Sequence, residues 1–311
     1  MDLKNDDPIL LWLLSGDISI RYQTYRDLLG IEKPDLQKRI GSEGWGRHFL
    51  SCRKDNGHWG NGFYQPKWIS SHYTLLDLKY LCISPDTQPA KETIYRIFEH
   101  AKGTDGGINP SGSIKQSDVC INGMALNYAC YFRTEEKLLQ SVIDFILGEK
   151  MGDGGFNCHS NRKNTVHSSL HTTLSVLEGI EEFEQNGYRY RIDELQEAKK
   201  TSQEFILKHH LFRSDKTGDV IKSAFLKLCY PGRWYYDILK ALDYFRLADV
   251  PYQANMEDAL KIIRQKRTKD GVWKLPSPHQ GIVHFTMEEA GEPSRWNTLR
   301  ALRVLKKYDQ I

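Results

Sequence analysis

Four segments of the chain carry apolar residues at helical spacing, and they can be aligned on one another. They are HYTLLDLKYL from His72, CINGMALNYA from Cys120, HTTLSVLEGI from His171 and WNTLRALRVL from Trp296. With the first residue counted as zero, offset six holds Leu78, Leu126, Leu177 and Leu302, and offset nine holds Leu81, Ala129, Ile180 and Leu305. Apolar residues in this register form one face of a helix, so the alignment predicts four equivalent helices with these positions buried.

A short glycine turn precedes each of these segments and gives the chain a repeat. The turns DNGHW, DGGI, DGGF and DGVW end at Trp59, Ile108, Phe156 and Trp273, at intervals of 49, 48 and 117 residues. The widest interval has room for one degenerate copy, which we place around residues 211–220. A period of about 50 residues indicates a structural repeat, and two looser helices, from Ile20 and Tyr236, bring the number to six.

More polar amphipathic segments alternate with these six helices. They lie near residues 7–15, 34–52, 89–102, 135–148, 190–209 and 255–267, and no run alternates convincingly with period two. The pattern predicts a single all-α domain, residues 1–311, of six helix pairs. An open solenoid would need polar caps at both ends, whereas six pairs can close into an (α/α)6 toroid with six inner and six outer helices, which is the fold we predict. Its inner helices, which would line a central cavity, are predicted near 17–29, 68–82, 118–132, 165–181, 233–247 and 294–308.

Composition and charge narrow the classes of partner. The 311 residues are 40% hydrophobic and 27% charged, which suits a globular chain with a substantial core. The net charge is +3 and the basic residues are scattered, so nucleic acid is not predicted as a partner.

The apolar run in MDLKNDDPILLWLLSG is too short to span a bilayer and lacks the flanks of a signal peptide, which predicts a cytoplasmic protein without a transmembrane segment. The six cysteines lie far apart in a long chain, so disulfides are not predicted.

The repeated unit, a DGGF- or DGxW-type turn followed by an apolar helix, resembles that of the squalene cyclase and protein prenyltransferase β-subunit superfamily over nearly the whole chain. GDISIRYQTYRDLLG, DNGHWGNGFYQPKW, HSSLHTTLSVLEG and EPSRWNTLRALRVL are similar to segments of bacterial proteins described only as squalene cyclase-like. The resemblance implies an α/α toroid, but it brings no established reaction. Since the sequence contains no DxDD motif and no consistent QW-repeat glutamine, triterpene cyclisation by the class II mechanism is not predicted.

The resemblance also implies a zinc site. Asp118 and Cys120, in SDVCING, match the Asp-x-Cys zinc pair of protein prenyltransferases, and His171 shares the repeat offset of Cys120 one repeat later. His167, four residues earlier and on the same predicted helical face, and Cys158 in DGGFNCH are further candidate ligands. Three protein ligands would leave a position open for substrate, whereas a fourth would close a structural site. Without a metal, Asp118 would be a helix cap and Cys120 a buried thiol.

A second group of residues is predicted to line the cavity and bind substrate. It consists of His72, Trp68, Arg233, Trp234, Tyr236, Arg295 and Trp296. Arg233 and Arg295 would open inner helices, where a guanidinium can bind a diphosphate or carboxylate through two hydrogen bonds. The aromatic side chains suit an isoprenoid-like molecule or a transient carbocation. Ordinary packing and surface charge are the alternative roles of these side chains.

Two functions are compatible with the sequence. The first is a prenyltransferase- or terpene cyclase-like enzyme that acts on an apolar, isoprenoid-like small molecule, with zinc as a Lewis acid or thiolate carrier. The second is a non-catalytic ligand-binding or scaffold toroid with at most a structural metal. Some α/α toroids hydrolyse glycosidic bonds with two inward carboxylates, and for that activity the candidates are Asp237, Asp243, Glu288 and Glu289. No substrate, catalytic residue or oligomeric state is predicted.

Overall fold

The computed structural model describes residues 7–111, 113–162 and 165–308, so the two ends of the predicted 1–311 domain lie outside the described residues. Helices dominate these ranges, in which the only strands are two of two residues each. Strand β1 (Trp273–Lys274) pairs antiparallel with β2 (Pro293–Ser294). The prediction of a helical chain with incidental strands is therefore confirmed. None of the described helices is both long enough and apolar enough to cross a membrane.

Six core helices, built mainly from buried residues, alternate along the chain with more exposed peripheral helices. The core helices are α2 (Ile18–Gln23, continued by a π-helical segment, Thr24–Leu29), α5 (Ser71–Tyr80), α7 (Val119–Tyr131), α9 (Leu170–Gln185), α11 (Ile238–Leu247) and α13 (Arg295–Tyr308). The peripheral helices are α1 (Pro8–Leu14), α3 (Pro34–Arg39), α4 (Gly44–Ser51), α6 (Gln88–His100), α8 (Glu136–Gly148), α10 (Ile192–Lys208) and α12 (Glu257–Gln265). Short 3-10 helices occupy Ser223–Leu226 and Ala254–Met256.

Three core helices begin three to five residues later than the sequence predicts: α5 at 71 instead of 68, α9 at 170 instead of 165, and α11 at 238 instead of 233. In α11 the cause is local. Arg233 has a φ of 54°, which is incompatible with a right-handed helix at that residue. The helix begins where the Asp237 carboxylate accepts a hydrogen bond from the Lys240 N–H at 2.8 Å.

The apolar register predicted from the sequence is buried. The offset-six leucines, Leu78, Leu126, Leu177 and Leu302, and the offset-nine residues, Leu81, Ala129, Ile180 and Leu305, are all at most 5% exposed. All eight residues belong to one hydrophobic core. The predicted register of these helices is therefore confirmed.

Helices α7 and α9 pack against each other more extensively than any other pair of elements in the described structure. Two glycines permit this approach, since a Cβ atom added at Gly123 would lie 2.7 Å from the backbone of Ser175. A Cβ atom added at Gly179 would lie 2.5 Å from the carbonyl oxygen of Gly123. The pair of glycines therefore sets the distance between these two helices.

Successive core helices are in contact along the chain, and the last also contacts the first. Helix α5 packs on α7, α7 on α9, and α11 on α13. Lys240 of α11 forms an ion pair with Glu178 of α9 at 3.1 Å. Arg303 of α13 pairs with Asp27 of the π-helical segment at 2.8 Å, and the side-chain amide of Gln23 in α2 donates a hydrogen bond to a carbonyl at the end of α5. Each core helix thus contacts the next along the chain, and α13 contacts α2 and the π-helical segment.

Candidate functional site

Side chains from all six core helices, together with the loops between them, line one cavity of about 290 Å³, called the central cavity below. Its lining comprises Gln23, Arg26, Asp27, Lys79, Tyr80, Cys82, Tyr131, Glu178, Glu182, Gln185, Tyr230, Gly232, Arg233, Lys240, Asp243, Tyr244, Arg246, Leu247, Trp296, Arg300 and Arg303. Seven of these side chains are Lys or Arg and four are Asp or Glu. The cavity is therefore more strongly charged than the aromatic, apolar lining that the sequence predicts.

Ion pairs connect much of this charge on the side formed by α13, α11 and the π-helical segment. Arg303 pairs with Asp27 at 2.8 Å and also with Asp243. Arg26 lies 2.6 Å from Asp27, and Arg246 lies 2.9 Å from Asp243. Burial by itself would raise the pKa of Asp243, but the charges of Arg303 and Arg246 outweigh it and hold that pKa well below its ordinary value. Both carboxylates are therefore fixed as anions between guanidinium groups.

The opposite side of the central cavity carries one-to-one ion pairs. Lys79 pairs with Glu182 at 3.0 Å, and Lys240 pairs with Glu178 at 3.1 Å. The Tyr80 hydroxyl donates to the Glu178 carboxylate at 3.2 Å. Each cation on this side thus has a carboxylate of its own.

Two buried donors in the lining have no hydrogen-bond partner within the described structure: Trp296 Nε1 and Arg300 Nη1. Trp296 is 1% exposed and Arg300 is 6% exposed, so bulk water does not replace the missing acceptors. Tyr230 stacks on Trp296 with ring centroids 4.6 Å apart, and the Arg300 guanidinium lies 5.7 Å from the Tyr230 ring centroid. Leaving a buried donor unsatisfied costs about 1–3 kcal/mol, so these two positions favour an acceptor, either an ordered water or an oxygen of a bound molecule.

Of the predicted substrate-binding residues, Arg233 and Trp296 line the central cavity. Trp68 lies instead beside a smaller cavity of about 70 Å³, to which Arg233 also contributes. Arg233 is buried and forms an ion pair with Asp77, and its guanidinium lies over the Trp68 ring at 5.6 Å. Since its charge is already paired, Arg233 is not the free anion clamp that the sequence predicts.

His72 does not line either of these cavities, contrary to the sequence prediction. It is fully buried between Phe63, Tyr64, Tyr73 and Tyr128, whose rings lie 4.9–5.6 Å from its own. This burial lowers the pKa of His72 to about 3, so the imidazole is neutral at physiological pH. His72 is therefore a core residue packed among aromatic side chains.

Arg295 also differs from its predicted role. Its guanidinium stacks on the Trp12 ring at 4.6 Å, and its Nε donates to the Trp12 carbonyl oxygen at 3.1 Å. These contacts attach α1 to α13, and Arg295 does not contribute to the lining of the central cavity. The arginines of this helix that line the cavity are Arg300 and Arg303, further along α13.

Trp234 and Tyr236 pack against His171 and are not part of the central cavity lining. Trp234 stacks on Tyr235 at 3.9 Å and lies 5.2 Å from the His171 ring. Tyr236 is buried, and its hydroxyl donates to the Leu211 carbonyl oxygen at 2.5 Å. Both aromatic residues therefore have structural contacts, which was the alternative role considered from the sequence.

The candidate metal ligands Cys120 and Cys158 are joined by a disulfide, with their Cα atoms 5.8 Å apart. This corrects the sequence-based expectation that the chain has no disulfide. The close packing of α7 and α9 brings the turn DGGFNCH beside the start of α7, an adjacency that cysteine spacing does not reveal. Asp118 forms an ion pair with Arg162, and its side chain makes no cap hydrogen bond. While the disulfide is present, neither Cys120 nor Cys158 can supply a thiolate ligand, and the Asp118 carboxylate is already paired with the Arg162 guanidinium.

The two candidate histidines lie in different environments, and they do not share a helical face as predicted. His167 is exposed and precedes α9, which begins at Leu170. His171 Nδ1 accepts a hydrogen bond from the Tyr236 N–H at 2.8 Å, which leaves the proton on Nε2. Burial, with a smaller contribution from nearby cations, lowers the pKa of His171 to about 4. His171 is therefore neutral at physiological pH.

As arranged, these residues do not fit a zinc ion. Across residues 7–111, 113–162 and 165–308, no three or more His, Cys, Asp and Glu side chains are grouped so that they could hold a metal. A zinc site at Asp118 and Cys120 would require reduction of the disulfide and separation of Asp118 from Arg162. Zinc binding by the reduced protein stays a prediction, and we assign no chemical step to it.

Three of the four carboxylates considered for glycoside hydrolysis are engaged in structural contacts, and the fourth, Glu289, is exposed and does not line the central cavity. Asp237 caps α11, and Asp243 is held by arginines. Glu288 accepts hydrogen bonds from the Ser294 hydroxyl at 2.5 Å and from the Arg295 N–H at 2.7 Å, and so caps α13. These roles leave none of the three as a free inward carboxylate.

Sequence reasoning missed Arg300 and Arg303, which contribute two of the cavity's positive charges. A signal for them exists in WNTLRALRVL, where Trp296, Arg300 and Arg303 recur at the spacing i, i+4 and i+7. That spacing places them on one face of α13. Charged residues on a face of an otherwise buried helix indicate a polar interior site.

Comparison with models of protein families gave no match to this chain, and neither did comparison with curated proteins. The geometry of the central cavity is therefore the basis for the functional proposal.

Proposed function

We propose that the chain is a closed (α/α)6 toroid whose central cavity binds a small molecule. The observation that carries the proposal is the single cavity to which all six core helices contribute side chains. Contacts between α13 and the π-helical segment, such as the Arg303–Asp27 ion pair, support closure of the ring. Ligand sites of proteins are typically concave and shared by several elements, and the volume of about 290 Å³ is near the lower end of their range.

We further propose that the ligand is an isoprenoid-like molecule with an anionic group, and that the protein is a prenyltransferase- or cyclase-like enzyme. The aromatic part of the lining, Tyr80, Tyr131, Tyr230, Tyr244 and Trp296, suits an apolar chain. The excess of basic over acidic side chains suits an anionic group. The resemblance of the repeat to prenyltransferases and cyclases supports the same class of ligand.

Binding of farnesyl diphosphate, measured by isothermal titration calorimetry, tests the proposal. The matched variants are Gly232→Leu, which inserts a side chain into the lining, and Gly148→Leu, at the exposed end of α8. A Cβ atom at Gly232 has its nearest neighbour at 3.7 Å, so the substitution is tolerated at the backbone, and a Cβ atom at Gly148 has none within 4 Å. We expect wild type and Gly148→Leu to bind and Gly232→Leu to lose binding. Equal binding by both variants would place the ligand outside the central cavity.

A non-catalytic binding protein is the second candidate, and one observation favours it. The four acidic residues of the lining, Asp27, Glu178, Glu182 and Asp243, are all paired with Lys or Arg. A general acid or base would need a carboxyl group that is free to exchange a proton with the ligand. Incubation with farnesyl diphosphate, with and without a thiol acceptor and followed by mass spectrometry, separates the two. Release of diphosphate together with a prenylated, cyclised or eliminated product supports an enzyme, and recovery of intact ligand under both conditions supports a binding protein.

A further inference from the structure

We infer that Trp296 and Arg300 form an anion subsite on the α13 side of the central cavity, where they bind a carboxylate or phosphate oxygen of the ligand. The inference rests on the proposed function, because it specifies the chemical group that the cavity's ligand presents. It replaces Arg233 and Arg295, the clamp predicted from the sequence, whose guanidinium groups have other contacts.

The two donors are placed together by the helix. Trp296 and Arg300 are four residues apart in α13, so their side chains lie on the same face. Trp296 Nε1 and Arg300 Nη1 are both buried, both line the same cavity, and both lack an acceptor in the described structure. An indole N–H and a guanidinium can only donate, so the group that satisfies them must be an acceptor.

The position of Arg300 is set by its neighbours. Its Nε lies 3.9 Å from the Asp243 carboxylate, and its guanidinium lies over the Tyr230 ring at 5.7 Å. Tyr230 in turn stacks on Trp296. These contacts hold one edge of the guanidinium toward the protein and leave Nη1 for a ligand, so little side-chain entropy would be lost on binding.

The charge of this side of the cavity makes an anion the favoured acceptor. The arginine cluster consists of Arg26, Arg246, Arg300 and Arg303, which share Asp27 and Asp243. Because the cluster contains four guanidinium groups and two carboxylates, its net charge is +2. The other cations of the lining are matched one to one, as in the Lys79–Glu182, Lys240–Glu178 and Arg233–Asp77 pairs.

Asp237 is a further carboxyl group that faces this cluster. It is buried, its pKa is raised by that burial, and the charge of Arg300 opposes the increase. When Asp237 is ionised it balances one of the two surplus charges, and when it is protonated it balances none. The surplus is therefore one or two positive charges, which matches a carboxylate or a phosphate group and disfavours a neutral or cationic ligand.

The test compares Trp296→Phe with wild type. The substitution keeps an aromatic ring at this position and removes the five-membered ring of the indole, which carries the Nε1–H donor. The probes are farnesyl diphosphate, farnesoic acid and the neutral alcohol farnesol. We expect wild type to bind at least one anionic probe more tightly than farnesol, and the preferred probe identifies the group as phosphate or carboxylate. Loss of a hydrogen bond to a charged oxygen should weaken that probe about tenfold in Trp296→Phe, with farnesol unchanged.

Arg300→Gln extends the test to the charge. We expect it to remove most of the preference for the anionic probe, whereas Arg47→Gln, on the exposed surface of α4, should leave the preference intact. Thermal melting without ligand distinguishes binding from structure: because Trp296 Nε1 has no partner in the protein, Trp296→Phe should not lose hydrogen-bond stabilisation in the free state.

Farnesol bound as tightly as both anions by wild type, or unchanged anion affinity in Trp296→Phe and Arg300→Gln, would overturn the subsite and leave the proposed function standing. Failure of wild type to bind any of the three probes would instead overturn both.

Discussion

Replacement of Gly179 by alanine tests the close packing on which the α9 side of the central cavity depends. The new Cβ would lie 2.5 Å from the carbonyl oxygen of Gly123 and 3.3 Å from the Leu126 Cβ. The first neighbour is backbone, so the clash can be relieved only if α7 and α9 move apart. Overpacking of this kind typically costs about 1–3 kcal/mol, against a gain of up to about 1 kcal/mol from the higher helix propensity of alanine.

We expect Gly179→Ala to lower the free energy of unfolding by about 1–2 kcal/mol, measured by urea denaturation followed by circular dichroism. Gly148→Ala is the matched control, because that glycine is in the last turn of α8 and no atom lies within 4 Å of its added Cβ. The control should be neutral or slightly stabilised. Equal stability of the two variants would refute the close approach of α7 and α9. Ligand binding should also weaken in Gly179→Ala, since Glu178 and Glu182 line the cavity from the same helix.

Three further predictions concern the disulfide, zinc and acid stability. Cys120→Ser should lower the free energy of unfolding by about 4 kcal/mol relative to the oxidised protein, because the bond closes a loop of 38 residues, and wild type in reductant should behave like the variant. Elemental analysis should find no stoichiometric zinc while Cys120 and Cys158 are bonded. One full equivalent of zinc would contradict the conclusion that these residues, as arranged, do not fit the ion, and zinc uptake after reduction would support the sequence-predicted site. Because the pKa of Asp243 is lower in the folded than in the unfolded protein, its ion pair with Arg303 stabilises the fold above about pH 4 and this contribution is lost as the pH falls further. Asp243→Asn should therefore be less stable than wild type at pH 7, with a smaller difference near pH 3 in urea titrations; a constant difference would refute the assignment.

The positions and the buried faces of the core helices could be predicted from the sequence alone. A helix brings residues i, i+4 and i+7 onto one face whatever its neighbours are, so the spacing of apolar residues within a segment determines which side is buried. Leu126 and Leu177 illustrate this, because each was placed by its offset in the repeat and each is fully buried. The exact helix starts were less predictable, since they depend on caps such as Asp237 and on the backbone conformation at Arg233.

The partners of the charged and sulfur-containing residues were decided only by the tertiary structure. Arg303 pairs with Asp27 across 276 residues, and Cys120 bonds to Cys158 across 38. Neither pairing follows from local periodicity, because it depends on which helices become neighbours when the chain folds. The same is true of Arg300, whose lack of an acceptor at Nη1 becomes visible only when every neighbouring helix is in place. A repeat in the sequence thus determines the helices, whereas the packing of those helices determines what their polar residues can bind.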